Sequence, residues 1–243
     1  MPPTRPKTLL IVGGPADYHN KPEQYESIAG LLVGPAGLNV TVADDFPGQT
    51  RDTLSGYDLI ALWSTWTRDA PVDATNALLD TVRRGAPLLI MHGALYNFRD
   101  NPEWVRDMGC LIRSRPIAHL PYQDVAVQIQ DRTHPVTAGL DDFQTADELF
   151  TLELQDGAQL LASFDGRVTD KPFRDDVERG EVGAASHAWR LAQPTAALVY
   201  VKRLGRGWIC GNALGHDGPA LANPGFRQLT VQSTAWLTGP ASK

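Results

Sequence analysis

The chain has 243 residues, of which 42% are hydrophobic and 21% charged, and its formal net charge is −6. This is the composition of a globular protein that is long enough to bury a core without disulfides or structural metals. The acidic balance and the lack of a basic run argue against nucleic acid and anionic membranes as partners. Cys110 and Cys210 form no disulfide framework, and we find no signal peptide and no apolar stretch of about 18 residues, so we expect a cytoplasmic protein.

The first half of the chain alternates between buried strands and helices. Apolar runs predict strands over Thr8–Val12, Asp58–Trp63 and Pro87–Met91, and alternation predicts a further strand over Leu38–Ala43. Residues at helical spacing predict one helix that begins at Pro22 and another over Asp73–Arg84. Strands that alternate with helices form βαβ units with right-handed crossovers, which predicts a parallel sheet.

The second half predicts strands of another kind. Alternation over Tyr122–Gln130 indicates a half-exposed antiparallel strand, and Leu204-Gly-Arg-Gly207 is typical of a hairpin turn. The remaining predicted elements are single strands over Phe143–Leu154 and Ala158–Phe164 and helices over Pro102–Met108 and Pro224–Leu237. The segment Arg167–Arg190 is charged and glycine-rich and predicts no element. Because no repeat or linker interrupts the pattern, we expect one domain over 1–243.

Three histidines follow predicted strands. His19, His92 and His216 each lie just beyond an apolar run, and open parallel sheets bind ligands at the carboxyl ends of their strands. His92 occupies the strand-to-helix turn at which a class I glutaminase would carry its cysteine. Without that cysteine or a Gly-x-Ser-x-Gly motif, nucleophilic catalysis is disfavoured. The Gly13-Gly14 turn lacks a phosphate-binding pattern, so no nucleotide cofactor is expected.

Glu148 is a further candidate, because alternation along a strand over Phe143–Leu154 places it on the apolar face. A carboxylate directed inward needs a metal ion, a histidine or an arginine as its partner. An arginine would make it a purely structural ion pair. The same alternation predicts that Asp147 faces solvent.

Aromatic side chains gather in the loops that follow the predicted strands. They are Tyr18, Trp63, Trp66, Tyr96 and Phe98. Aromatic rings stack on the apolar faces of sugars, which makes a carbohydrate a candidate ligand. Some of these rings, Trp63 above all, would instead only pack the core.

Taken together, these segments resemble the ThuA-like, or trehalose-utilisation, family, which is related in fold to class I glutamine amidotransferases. The motifs that carry the resemblance are Asp17-Tyr-His19, Met91-His-Gly-Ala94, Tyr96-Asn-Phe98, His134-Pro-Val136, Asp147-Glu-Leu-Phe150, Gly205-Arg-Gly207, Asn212-Ala-Leu-Gly-His-Asp217 and Trp236. The resemblance implies a flavodoxin-like three-layer α/β sandwich, with a mostly parallel central sheet and antiparallel additions in the C-terminal half.

The resemblance also implies a role in sugar catabolism, in some relatives alongside an oxidoreductase that produces 3-keto sugars, and in parts of the family a divalent metal such as zinc. Besides such an oxidoreductase, we consider a second copy of this chain as a protein partner, which would form a homodimer. The substrate-binding positions that we expect are Tyr18, His19, Trp66, Tyr96, Asn97, His134 and Asp217.

Two functional hypotheses follow. In the first, the chain is an enzyme that hydrolyses, eliminates or isomerises a sugar or 3-keto-glycoside. His92, Glu148 and His216 would then meet as acid and base or as ligands of one divalent ion. In the second, the same scaffold is a non-catalytic carbohydrate-binding or regulatory protein. An inward carboxylate at Glu148 favours the enzyme, because a binding protein has little need of it.

Overall fold

The computed structural model describes residues 5–15, 21–67, 69, 71–112, 122–148, 150, 152–164 and 196–240. The described strands are β1 (Lys7–Ile11), β2 (Asn39–Ala43), β3 (Leu59–Leu62), β4 (Leu88–Met91), β5 (Cys110–Ile112), β6 (Gln123–Ile129), β7 (Phe143–Asp147), β8 (Leu152–Leu154), β9 (Ala158–Phe164), β10 (Ala196–Leu204) and β11 (Gly207–Asn212). The described helices are α1 (Pro22–Val33), α2 (Arg51–Leu54), α3 (Val72–Arg83), α4 (Pro102–Asp107), α5 (Gly218–Ala222) and α6 (Pro224–Thr238), and a short 3₁₀ helix covers His92–Tyr96.

The parallel half of the sheet has the strand order β2-β1-β3-β4-β11. Every residue of β3 and β4 is buried, as expected for strands that are covered on both faces. The helix α1 contacts α5 and α6, whereas α3 contacts α2 and α4. These two groups of helices and the sheet make up the expected α/β sandwich. Among the described residues, no helix is long and apolar enough to cross a membrane.

The antiparallel half continues from β11 through β10, β9 and β6 to β7. Since the chain direction reverses at each step, β7 and β11 run in the same direction as β4. The carboxyl ends of these three strands therefore lie at one edge of the sheet. The predicted hairpin is confirmed, because β10 and β11 pair around Leu204 and Gly207.

The prediction of a single strand over Phe143–Leu154 is wrong. The chain leaves the sheet after Asp147, and the separate strand β8 pairs with β5 and β10 instead. The Asp147 carboxylate accepts a hydrogen bond from the next backbone amide, that of Glu148, at 2.9 Å. This local bond turns the chain, and an apolar pattern cannot reveal it. The short elements α2, β5 and α5 were not predicted either.

One prediction of stability concerns the packing of β11 against Tyr200. The Tyr200 ring is fully buried, its hydroxyl donates to the Met108 carbonyl at 2.8 Å, and a Cβ at Gly211 would overlap the ring. We expect Gly211→Ala to lower the free energy of unfolding by about 1–3 kcal/mol, because overpacking forces side chains out of their rotamers. Urea denaturation measures this loss. Gly218→Ala, where a Cβ meets nothing within 4 Å, is the control and should be close to neutral.

Candidate active site

His92 lies at the turn between β4 and the 3₁₀ helix. Its φ is +44°, in the left-handed region that residues other than glycine rarely adopt. The side chain is fully buried, and its ring is 6.0 Å from that of Trp63 and 5.2 Å from that of Phe150, centroid to centroid. A strained residue at the end of a central strand is a common feature of functional sites. The expected position of His92 at the strand-to-helix turn is confirmed.

His216 and Glu148 meet His92 at this edge of the sheet. The Nδ1 atom of His216 lies 3.3 Å from Nε2 of His92 and 3.0 Å from a carboxylate oxygen of Glu148. One ligand atom from each residue can be chosen so that all three lie within 4.8 Å of one another. Residues from three distant segments thus converge on a small volume.

The chemistry of these atoms suits a divalent cation. The Nδ1 atom of His92 lies 2.9 Å from the Ala213 carbonyl oxygen, which can only accept, so this nitrogen carries the proton and Nε2 is left with its lone pair. Nε2 and the Glu148 carboxylate are then both acceptors that face His216. Ligand atoms of a tetrahedral zinc site with bonds of about 2.0–2.1 Å lie about 3.3 Å apart. The measured separations fit such a site, and the bond to Ala213 orients the His92 ring as outer partners of metal ligands do.

Asp147 is buried next to these three residues and binds the backbone that carries two of them. The prediction that it faces solvent is wrong. It is fully buried, and its carboxylate accepts from the amides of Gly215 at 2.7 Å, His216 at 3.1 Å and Glu148 at 2.9 Å. Burial raises its pKa to about 7, although the hydrogen bonds from Gly215 and His216 oppose the shift. Asp147 therefore ties the loop that carries His216 to the end of β7, next to Glu148.

The electrostatics of the site favour positive charge. Burial disfavours the protonated form of His216, but the hydrogen bond and the charge of Glu148 outweigh it, so the pKa of His216 is raised. Asp147 and Asp217 add to this effect. A group of carboxylates that stabilises an imidazolium also attracts a metal cation.

Aromatic rings border the histidine pair on two sides. On the His92 side, Phe150 lies 6.1 Å from the Tyr96 ring, and the guanidinium carbon of Arg99 lies 3.6 Å from the Tyr96 ring centre. On the His216 side, the Tyr122 ring is 5.6 Å away and 45% exposed. Burial and a hydrogen bond to Asp217 raise the pKa of the Tyr122 phenol. These rings can stack on a ring-shaped ligand held between them.

The expected substrate-binding residues fall into two described groups. Tyr96 and Asp217 lie beside the site, and Asp217 also caps α5 through the Ala220 amide at 3.0 Å. Trp66 and Asn97 contact other residues instead: the Trp66 ring lies 6.3 Å from the Phe46 ring, and the buried Asn97 donates to Ser64 at 2.8 Å.

His134 lies at the other edge of the sheet. It is in the connection that precedes β7, whereas the site is at the end of that strand, and its ring packs 4.8 Å from Trp236. Burial lowers its pKa, as expected for a packed histidine. The structure thus does not bring His134 together with His92 and His216. The predictions for Tyr18 and His19, and the segment Arg167–Arg190, lie outside the described residues.

Sequence reasoning missed two residues of the site, Asp147 and Tyr122. The adjacent carboxylates of Asp147 and Glu148 were a usable signal, because alternation alone forces one of two neighbours inward. Nothing in the sequence near Tyr122 indicated its contact with His216, which depends on how β6 is placed in the sheet.

Comparisons with known proteins give the family and the fold of the chain. The family model ThuA, described as trehalose utilisation, matches residues 8–237. A ThuA-like protein from Parabacteroides merdae superposes with a TM-score of 0.73 at 18% identity, over 97% of this chain and 90% of that one. A ThuA-like protein from Bacteroides uniformis superposes with a TM-score of 0.73 at 19% identity, over 98% of this chain and 95% of that one.

A protein from Salmonella typhimurium described as cytoplasmic gives a TM-score of 0.59 at 11% identity, over 94% of this chain and 98% of that one. No curated protein matches the chain in sequence. At these identities the structural matches show a shared fold.

Proposed function

Because the chain belongs to the ThuA family, we propose that it is a cytoplasmic enzyme of carbohydrate breakdown whose His92, Glu148 and His216 hold one divalent ion. The observation that carries the proposal is the convergence of three ligand atoms, with separations of 3.3 and 3.0 Å, at the edge where α/β sheets place their chemistry. The substrate class that we propose is a glycoside, in particular one oxidised to a ketone at C3.

A 3-keto-glycoside suits this site for a chemical reason. The ketone at C3 acidifies the hydrogen on C2, so a base can take that proton while the bond between C1 and its oxygen substituent breaks. A C1=C2 double bond forms, and the aglycone leaves as an alcohol after its oxygen takes up a proton. When bound, a divalent ion supplies Lewis acidity, which polarises sugar oxygens and acidifies water. His92 and His216 with Glu148 form a ligand set of two imidazoles and one carboxylate, which leaves a coordination position open in a tetrahedral site.

The remaining residues orient and shield the reacting groups. Trp63 and Phe150 cover the His92 ring and exclude water from it. Asp147 holds the backbone of His216 in place. Tyr122, tied to Asp217, offers an exposed ring on which the sugar can stack.

The experiment is metal analysis of the purified chain combined with turnover assays on trehalose and 3-keto-trehalose. We expect about one divalent ion per chain, because the described residues contain one cluster of suitable ligands. We also expect activity that is lost on chelation and restored by zinc. Activity that survives complete removal of metal would assign His216 and Glu148 as an acid–base pair instead. Binding of either sugar without turnover would favour the non-catalytic alternative.

A further prediction concerns Tyr122. We expect Tyr122→Ala to raise KM for the sugar about 2–12-fold and to lower kcat less, because it removes a stacking surface worth about 0.5–1.5 kcal/mol. Steady-state kinetics measure both constants. Tyr122→Phe keeps the ring and should retain most of the affinity, and metal content should be unchanged in both variants. A loss of affinity in Tyr122→Phe equal to that in Tyr122→Ala would contradict stacking.

A further inference from the structure

A second cavity lies at the edge of the sheet opposite the histidine pair. Its volume is about 470 Å³, and Asp58, Pro87 and Trp208, which line it, are located at the amino ends of β3, β4 and β11. Ligand sites are commonly clefts of about 300–1,000 Å³. The cavity thus has the size for a small ligand, and the whole length of the central strands separates it from the proposed metal ligands.

Two arginines give this cavity a positive charge. Arg51 and Arg84 line it, and within the described part of the chain neither has a carboxylate at ion-pair distance. The other charged lining residue is Asp58, one of whose oxygens accepts from the Lys7 amide at 2.9 Å. The local charge of the lining is therefore positive on a chain whose net charge is −6. Guanidinium groups match phosphate oxygens in geometry and charge.

An aromatic wall completes the cavity. The Trp208 ring is half-buried and packs against the Trp236 ring, with their centroids 5.1 Å apart. The Arg203 guanidinium carbon lies 5.6 Å from the centre of the Trp208 ring. Tyr57 and Ser55 also line the cavity, the Ser55 hydroxyl donates to the Asp52 carbonyl at 3.1 Å, and the second Asp58 oxygen can accept a hydrogen bond. A rigid aromatic face beside hydroxyl and carboxylate groups is the chemistry that recognises a sugar ring.

We propose that this cavity is a second ligand site, which binds a small phosphorylated carbohydrate with its phosphate on Arg51 and Arg84 and its ring against Trp208. The site is separate from the proposed catalytic centre and does not depend on a metal ion. Its ligand would differ from a neutral glycoside substrate by the phosphate group.

The test is calorimetric titration of the full chain with glucose 6-phosphate, inorganic phosphate and glucose. We expect glucose 6-phosphate to bind most tightly and glucose to bind at least about tenfold more weakly. The double variant Arg51→Gln/Arg84→Gln should lose about tenfold or more of the affinity for glucose 6-phosphate, because charge-assisted hydrogen bonds are removed. Trp208→Ala should lower the affinity for glucose 6-phosphate but leave the affinity for inorganic phosphate unchanged. Arg5→Gln, outside this cavity, is the matched control.

Two results would overturn the proposal. One is affinity for glucose 6-phosphate that is unchanged in the double arginine variant or, should that variant not fold, in both single variants. The other is equal affinity for inorganic phosphate and glucose 6-phosphate with no effect of Trp208→Ala, which would make free phosphate the ligand. Binding should persist in His92→Ala, so failure of this proposal and failure of the proposed metal site are distinguishable.

Discussion

Replacing Glu148 with glutamine is expected to abolish tight metal binding and to lower turnover by at least about 100-fold. An amide carries no negative charge and is a poorer ligand, and even outer partners of metal ligands contribute about 10–100-fold to affinity or activity. His92→Ala should have an effect of the same size, because it removes the ligand atom that lies 3.3 Å from His216. Titration with zinc followed by calorimetry measures the affinity, and assays on 3-keto-trehalose measure the turnover.

The matched controls are substitutions of the same residue types that leave His92, Glu148 and His216 unchanged. Glu26→Gln removes an exposed carboxylate of α1, and His134→Asn removes the histidine at the opposite edge of the sheet. Both should bind zinc as the unmodified chain does. Wild-type turnover in both Glu148→Gln and His92→Ala would show that the reaction occurs elsewhere.

Replacing Asp147 with alanine is expected to damage both stability and the site. The change leaves the amides of Glu148, Gly215 and His216 without their acceptor, and each unsatisfied buried donor costs about 1–3 kcal/mol. We therefore expect the free energy of unfolding to fall by about 3 kcal/mol or more. Since the His216 loop loses its anchor, zinc affinity should also fall by about 10–100-fold.

Asp147→Asn separates these two effects. It keeps the size of the side chain and one acceptor oxygen, but its amide group faces backbone donors, so we expect an intermediate loss of stability and of affinity. Urea denaturation and zinc titration measure them. Asp124→Asn, on the exposed face of β6, is the control. Asp147→Ala with unchanged stability and zinc affinity would exclude the anchoring role.

The parallel half of the fold could be predicted well because its signals are local. The runs that became β1, β3 and β4 are mostly apolar. The helix α1 begins at Pro22, whose ring fixes φ, and α3 ends shortly before Gly85, which adopts a positive φ that other residues rarely tolerate. The position of His92 followed from the same pattern, since a strand that ends in a parallel sheet presents its next residue at the ligand-binding edge.

The orientation of Asp147 could not be predicted in this way. The prediction continued the alternation of one strand past Asp147, where β7 ends. The inward and outward positions of Asp147 and Glu148 were therefore assigned from a strand that is too long. Glu148 reaches the site because the chain turns there. The structure places its carboxylate 3.0 Å from His216, but the strand geometry that led to its inclusion among the candidates was wrong.

What the sequence determined alone is most of the strands and helices, the parallel character of the first half of the sheet and the choice of three candidate ligands. Only the tertiary structure decided that these ligands meet. Four strand spacings of about 4.8 Å separate β7 from β11, which amounts to about 19 Å in a flat sheet. The three residues from β11 to Gly215 span at most about 11 Å, yet the Gly215 amide lies 2.7 Å from the Asp147 carboxylate. The sheet must therefore curl, and such curvature results from the twist and packing of whole strands, which no local pattern of residues encodes.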